Sequence, residues 1–459
     1  MVKKKDSKRV KNLKHNARKR SIKEGIFGSA QMSFGDSYIT PFAIAINSSN
    51  SLVALISAIS GILGPLTQIF GSKLNEKYSR KKIILKSTFF GALTWLSFIL
   101  IAVLFYKGIL INTLPILFLV LLSVYIVIAY VGEPAWFSWM GDIIDEEQRG
   151  KWFSKRNFIR GFVILILTIS SAFFLDYFEK NNWLMFGFII LFSLASLSGL
   201  LYWKSFKKQY VPKIKFEKED YFSFWDFLIN ARKNNFGKFS IFRALLSFSI
   251  FISSSLITVY LLRYLEFSYL IYITIILSQV LFSLVVLELW GKFADRYGNY
   301  RILYITTILI PIIPILWILF KSPIYLILVP ALISGICWAG FNLAANNFIY
   351  DNVSQKKRGF ALSYYNMFNG LGIFFGATLG AFLIKFLKIS FEPILLIFII
   401  SSLISMVVIL FWIPQIKEIK KTEKFEGSKA LKRMIFQEAK PTLLEEAHEI
   451  MSIKKYLRE

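Results

Sequence analysis

The sequence predicts an all-α polytopic membrane protein with twelve transmembrane helices in two parallel six-helix halves. Three observations predict it. The 459-residue chain is 55% hydrophobic and only 18% charged, with a mean hydropathy of +0.55, which is more apolar surface than a soluble chain would carry. The apolar residues fall into twelve long runs. The two halves of the chain also repeat one another at nearly constant spacing.

The runs lie at about 25–46, 51–72, 84–106, 114–140, 156–175, 184–203, 239–262, 267–291, 301–320, 324–349, 359–386 and 392–413. Each is long enough to cross roughly 30 Å of hydrocarbon as helix. Helix is required because a run in lipid must satisfy its own backbone hydrogen bonds, and a barrel would show short alternating segments instead. The odd-numbered loops are short and nearly uncharged, whereas the even-numbered loops and both tails are basic. Roughly 48 of the 55 Lys and Arg residues fall on one side and about six on the other. The positive-inside rule then puts both termini in the cytoplasm of a multi-pass cell-membrane protein. The net charge of +27 is thus a topology signal and not a nucleic-acid-binding surface.

Five segments follow. Residues 1–24 form a basic cytoplasmic tail, attractive to anionic lipid, without the apolar core and cleavage site of a secretory signal. Residues 25–203 and 239–413 are the two six-helix halves. The cytoplasmic linker 204–238 mixes bases with the aromatic run Tyr221–Trp225, a composition suited to the headgroup level. In the cytoplasmic tail 414–459, Leu443, Ala447, Ile450 and Met451 share one stripe of an amphipathic helix. The single cysteine, Cys337, excludes an internal disulfide. The two histidines, His15 and His448, sit in the tails, so a metal or histidine-based catalytic site within the membrane is not expected. No cofactor is implied, and no phosphate-cradling Gly-rich ATP loop occurs.

The internal repeat is specific. Arg149, Gly150, Ser154, Asn157 and Gly161 recur as Arg358, Gly359, Ser363, Asn366 and Gly370, all at an offset of 209, which also carries Ala135 to Ala344 and Asp142 to Asp351. A second pair of turns lies at an offset of 219. Gly291–Arg301 contains Asp295, Arg296, Tyr297 and Gly298, and its counterpart reads Glu76, Lys77, Tyr78 and Ser79. Six spans is an even number, so the halves share one orientation about an axis along the membrane normal.

A twelve-span chain with G-x-x-x-D-R-x-G after the eighth span (Gly291, Asp295, Arg296, Gly298) and a weaker copy after the second resembles the major facilitator superfamily of secondary transporters. The resemblance covers about 25–413. Pro134–Trp139 and Trp338–Leu343 are similar in style to prokaryotic members. The first copy departs from the motif: Glu76, Lys77 and Ser79 replace its Asp, Arg and Gly, and Gly71 comes one position early. The fifth span lacks the Gly-Pro pattern of many proton-exchanging exporters. The resemblance implies that the turns act as cytoplasmic gates, with Gly291, Asp295, Arg296 and Gly298 in the stronger one. Glu76, Lys77, Arg149 and Arg358 complete the gating set. A simpler reading makes these loops charged topology markers.

Asp36 is the sharpest single residue. It lies about eleven positions into span one, near the midplane, where a lone carboxylate is costly unless paired, wetted or protonated. It suits a proton- or cation-coupling site or a contact to a cationic substrate, with a structural hydrogen bond as the alternative. Glu133 in span four and Arg160 in span five are placed to form an ion pair. Asp142 with Arg149, and Asp351 with Arg358, are expected to pair at the loops. Asn342 and Asn346 share one helical face of span ten, as Asn366 and Asn369 do in span eleven, where amides join helices or line a wet cavity. In the superfamily, spans one, four, seven and ten line the central cavity. That makes Asp36, Trp136, Asn342 and Asn346 cavity candidates, with Asn366 beside them. Gly372, Gly376 and Gly380 form a small-residue face for close packing.

The resemblance implies a secondary active transporter of a small solute, working by alternating access, and the titratable Asp36 and Glu133 point to coupling with protons or another ion. The alternative is a receptor or scaffold that keeps the fold without transport. An enzyme is not expected.

Overall fold

A computed structural model of the chain describes residues 8–144, 149–212, 224–353, 358–387 and 392–418. Among these residues every regular element is helical. Eleven helices are long and apolar enough to cross a membrane, from Asn50–Leu74 to Pro393–Gln415. The remaining crossing, expected at 25–46, is split. It consists of Lys8–Phe34 and Ile39–Ala45 joined by a single 3₁₀ turn, Asp36–Tyr38. Helix Lys8–Phe34 begins well upstream of the expected apolar run, and Ala17, Ser21 and Glu24 on it are fully buried. The amphipathic stripe expected in the tail 414–459 and residues 213–223 of the central linker lie outside the described residues.

Spans two to six are Asn50–Lys77, Arg80–Tyr106, Leu114–Ile143, Arg149–Lys180 and Leu184–Lys207, and span four is interrupted between Tyr130 and Glu133. Pro134 follows that interruption, where a missing N–H costs nothing. Spans seven to twelve are Asn235–Tyr264, Tyr269–Tyr297, Asn299–Leu319, Pro323–Asn352, Arg358–Phe386 and Pro393–Trp412. Span nine is divided at Pro311, which cannot donate to the helix ladder.

The helices form two compact units. The first contains spans one to six together with residues 254–273 and 370–389, the ends of spans seven, eight and eleven on the face poor in charge. Polar contacts tie these ends in. Arg263 donates to Asn50 Oδ1 at 2.6 Å and to the Ile44 carbonyl at 3.2 Å. The Asp176 carboxylate accepts the backbone N–H groups of Tyr269 and Leu270, 2.7 and 3.2 Å away. Ser51 donates to the Ala381 carbonyl at 2.9 Å. Where span two meets span eleven, a Cβ on Gly370 would collide with the carbonyl oxygen of Gly61. The backbones touch there, and the buried face Gly372, Gly376 and Gly380 continues that approach.

The core of the first unit is aromatic. Phe42 meets Phe118, Phe188 and Phe192 with ring centroids 4.9–5.4 Å apart. In the second unit Phe239 lies between Phe348 and Tyr365. Serine and asparagine pairs hold its helices, with Ser253 donating to Ser401 at 2.8 Å and Ser247 to Asn369 at 2.6 Å.

The two repeated turns differ in backbone. Gly298 sits at φ +89°, ψ 164°, a region open essentially to glycine alone. At the first turn Tyr78 and Ser79 are extended, so that turn reverses without a glycine. Gly291, by contrast, has open space in the direction a Cβ would point. Gly298→Ala is expected to lower stability by about 1–3 kcal/mol, while Gly291→Ala stays close to the parent. Thermal unfolding of the two purified variants in detergent checks the difference.

Candidate functional site

Span one breaks where it meets a large aromatic side chain. A Cβ on Gly35 would collide with the Trp95 ring, so only glycine lets the buried indole pack there. The helix ends at Phe34, and the following turn sets Asp36 beside span four. Tyr125 donates to Asp36 Oδ1 at 2.6 Å, and its ring packs on Trp95 at 5.0 Å. Tyr38, on the same turn, donates to the Thr168 carbonyl at 2.6 Å and ties the break to span five.

A cavity of about 270 Å³ opens next to this break, within the first unit. Asp36, Glu133, Trp136 and Arg160 all line it, together with Gln31 and Arg156. Four of the residues singled out from the sequence are therefore brought together. Asn342, Asn346 and Asn366 are not among its lining. Asn342 and Asn346 belong to the second unit, are exposed, and line a separate cavity of about 480 Å³ with Gln279. Asn366 is half-buried in span eleven.

The expected Glu133–Arg160 ion pair does not form. Glu133 accepts from Gln68 Nε2 at 2.6 Å, and Arg160 Nε donates to Ser29 Oγ at 3.3 Å. The reason is a stronger pair one turn away. Arg156 Nη2 lies 2.9 Å from Glu24 Oε1, with both side chains buried. The same oxygen accepts from Ser21 at 2.8 Å and from Trp136 Nε1 at 3.2 Å. The Arg156 guanidinium also lies 4.4 Å from the Trp136 ring centroid, a cation–π contact. Arg160 follows Arg156 by four residues and so shares its face towards span one. Glu133 is left to span two.

Glu24 and Arg156 are functional candidates that the sequence pattern does not single out. Glu24 falls at the end of the stretch expected to be a basic tail. Its signal is that it is the only acid between Asp6 and Asp36 and follows Ala17 and Ser21 at helical spacing. In the second unit Arg243 is a further candidate without a sequence motif. Its guanidinium lies 5.4 Å from the Trp338 ring and 5.0 Å from Phe341.

The residues expected to gate are more scattered. Asp295 and Lys77 are exposed at the ends of their spans, and Arg296 lies over the Tyr297 ring at 5.6 Å. The side chains of Glu76, Arg149 and Arg358 lie outside the described residues. Asp142 bonds Arg80. In the second unit Asp351 accepts from Asn299 at 2.8 Å, and Asn299 accepts from Asn347 at 3.2 Å. Arg80 and Asn299 are 219 residues apart, and Asp142 and Asp351 are 209 apart. Both offsets are those of the sequence repeat, so each half ties its turn to the end of its fourth helix with equivalent residues.

The family model for the Major Facilitator Superfamily matches residues 26–289 and 239–445. The chain belongs to the Major Facilitator Superfamily. Solved structures of the same fold include the nucleoside transporter NupG, at 14% identity and a TM-score of 0.64 over 87% of this chain and 100% of that one. A D-xylose-proton symporter is 15% identical, with a TM-score of 0.64 over 88% of this chain and 98% of that one. A bacterial homologue of the iron transporter ferroportin, in an inward-facing state, is 16% identical with a TM-score of 0.63 over 87% and 98%. At these identities the likeness speaks for the fold alone. No curated protein sequence matches the chain. The superfamily and these neighbours are transporters.

Truncating one partner of a buried ion pair leaves the other charge stranded. Glu24→Ala is therefore expected to cost about 3–5 kcal/mol, whereas an apolar replacement of both Glu24 and Arg156 restores most of it. Equilibrium unfolding of the single and double variants in detergent measures the difference.

Proposed function

We propose that this member of the superfamily is a proton-coupled secondary transporter that moves a small solute by alternating access, with its basic face in the cytoplasm. The observation that carries the reading is Asp36, which follows the break in span one, lines a cavity shared with Glu133, Arg156 and Arg160, and is held by Tyr125. A carboxylate at membrane depth is costly to keep charged. Uptake of a proton removes that charge and adds an O–H donor while an acceptor oxygen remains, so the hydrogen bond from Tyr125 loses its charge assistance. That links proton occupancy to the packing of spans one and four. Glu133, on the same wall, is a second group able to exchange a proton, while Arg160 supplies a fixed positive charge.

Alternating access requires contacts that can be exchanged. Those of Arg263, Asp176 and Ser51, which tie the ends of spans seven, eight and eleven into the first unit, suit that role, because they are polar and lie towards helix ends, where water can replace them. A cavity with Gln31, Tyr125 and Trp136 on its wall favours a small neutral or singly charged solute that offers both a hydrogen-bonding edge and a flat apolar face. The nucleoside and xylose named for the structural neighbours are solutes of this size.

In proteoliposomes, solute uptake is expected to accelerate under an inward proton gradient, and Asp36→Asn is expected to abolish the acceleration. An unchanged response in the variant would remove proton coupling through Asp36. Asp295→Asn is expected to slow transport more than Glu76→Gln, because the second turn keeps the glycine geometry. Equal slowing would reject that ranking.

A further inference from the structure

Spans three and six run antiparallel and leave a slot of about 500 Å³ between their ends on the basic face of the first unit. Lys81, Lys82, Lys86 and Lys207 line it, and no carboxylate is among the lining residues. Lys81 is engaged with the carbonyl of Gln209 at 3.2 Å. Lys82, Lys86 and Lys207 are exposed. The floor is aromatic: Lys207 Nζ lies 3.6 Å from the Trp203 ring centroid, and Phe89 packs on Trp203 at 5.0 Å. With no carboxylate among the described lining residues, three exposed ammonium groups repel one another, and an anion seated among them offsets that repulsion.

What lies beyond the slot identifies the kind of anion. Lys82, Lys86 and Phe90 are four residues apart and share one face of span three. That side of the helix continues as exposed apolar surface, with Phe90 51%, Leu96 51% and Leu100 57% exposed, and Leu197 on span six is 55% exposed. Phe90 to Leu100 covers about 15 Å at the helical rise of 1.5 Å per residue, half of the roughly 30 Å hydrocarbon core. A cationic head end thus leads into an apolar strip as deep as one leaflet. A free phosphate would use only the lysines, and a zwitterionic lipid brings its own cation against them.

We propose that this slot binds one anionic phospholipid from the leaflet on the basic face. Its phosphate lies among Lys82, Lys86 and Lys207, its glycerol region rests on Trp203, and an acyl chain follows span three from Phe90 to Leu100. The site is distinct from the cavity, although span three serves both: Ser87 and Thr88 face the cavity, and Lys86 and Phe89 face the slot. A lipid held there braces the back of a cavity-lining helix. The inference does not depend on proton coupling.

Native mass spectrometry of the full-length protein, titrated with phosphatidylglycerol or phosphatidylcholine, tests it. Phosphatidylglycerol is expected to remain bound where phosphatidylcholine is lost. The triple variant Lys82→Gln, Lys86→Gln, Lys207→Gln is expected to bind on the order of 100-fold more weakly, about fivefold per lysine, and the corresponding triple Arg variant is expected to retain binding. Brominated phosphatidylglycerol is expected to quench the parent more than Trp203→Phe, which locates the lipid on the unaltered lysines should the Gln variant fail to fold. Equal retention of the two lipids, full displacement by inorganic phosphate, or equal quenching of parent and Trp203→Phe would overturn the proposal.

Discussion

The buried pair between Glu24 and Arg156 is the constraint on which the first unit depends. Neither charge can be left alone at a helix interface in lipid, so spans one and five are held in register where they meet. Trp136 completes the arrangement by donating to the carboxylate and offering its ring to the guanidinium, which fixes span four against both. Once Arg156 is committed, the neighbouring polar groups have few choices. Arg160 turns towards Ser29, Glu133 turns towards Gln68, and Asp36 is left to Tyr125. The polar wall of the cavity is the remainder of this pairing, and its composition follows from which charges were already satisfied.

A second constraint is steric. Trp95 occupies the space that a side chain at residue 35 would need, so only glycine fits there. At the turn that follows, an expensive residue, Asp36, has a hydrogen-bond donor in reach. Packing and electrostatics thus meet on the same turn.

The two halves show how one plan can be kept with different chemistry. In the first, Arg80 and Asp142 form an ion pair. In the second, Asn299 and Asp351 form an amide–carboxylate hydrogen bond. The turn glycine is retained only in the second half, where Gly298 adopts a conformation that other residues avoid. The first half dispenses with it by extending the chain at Tyr78 and Ser79. Loss of the motif glycine therefore records a different turn path and not a broken one.

Twelve spans, the basic face and the repeat were legible in the sequence, because hydrophobic run length, charge placement and residue identity at fixed offsets are properties of the chain itself. The anomaly at Asp36 was legible too, since a carboxylate far inside an apolar run stands out wherever its neighbours lie. The partners were not. Glu133 and Arg160 are close in sequence terms on consecutive antiparallel helices, yet each bonds elsewhere. Glu24, hidden at the edge of a basic stretch, forms an ion pair with Arg156 in which both side chains are buried. Helix rotation about its own axis decides such pairings, and rotation is set by side chains on other spans. The sequence by itself determined where the helices are, how many they are and which face is basic. Only tertiary packing decided which charges meet and where span one breaks, because those outcomes depend on contacts between residues far apart along the chain.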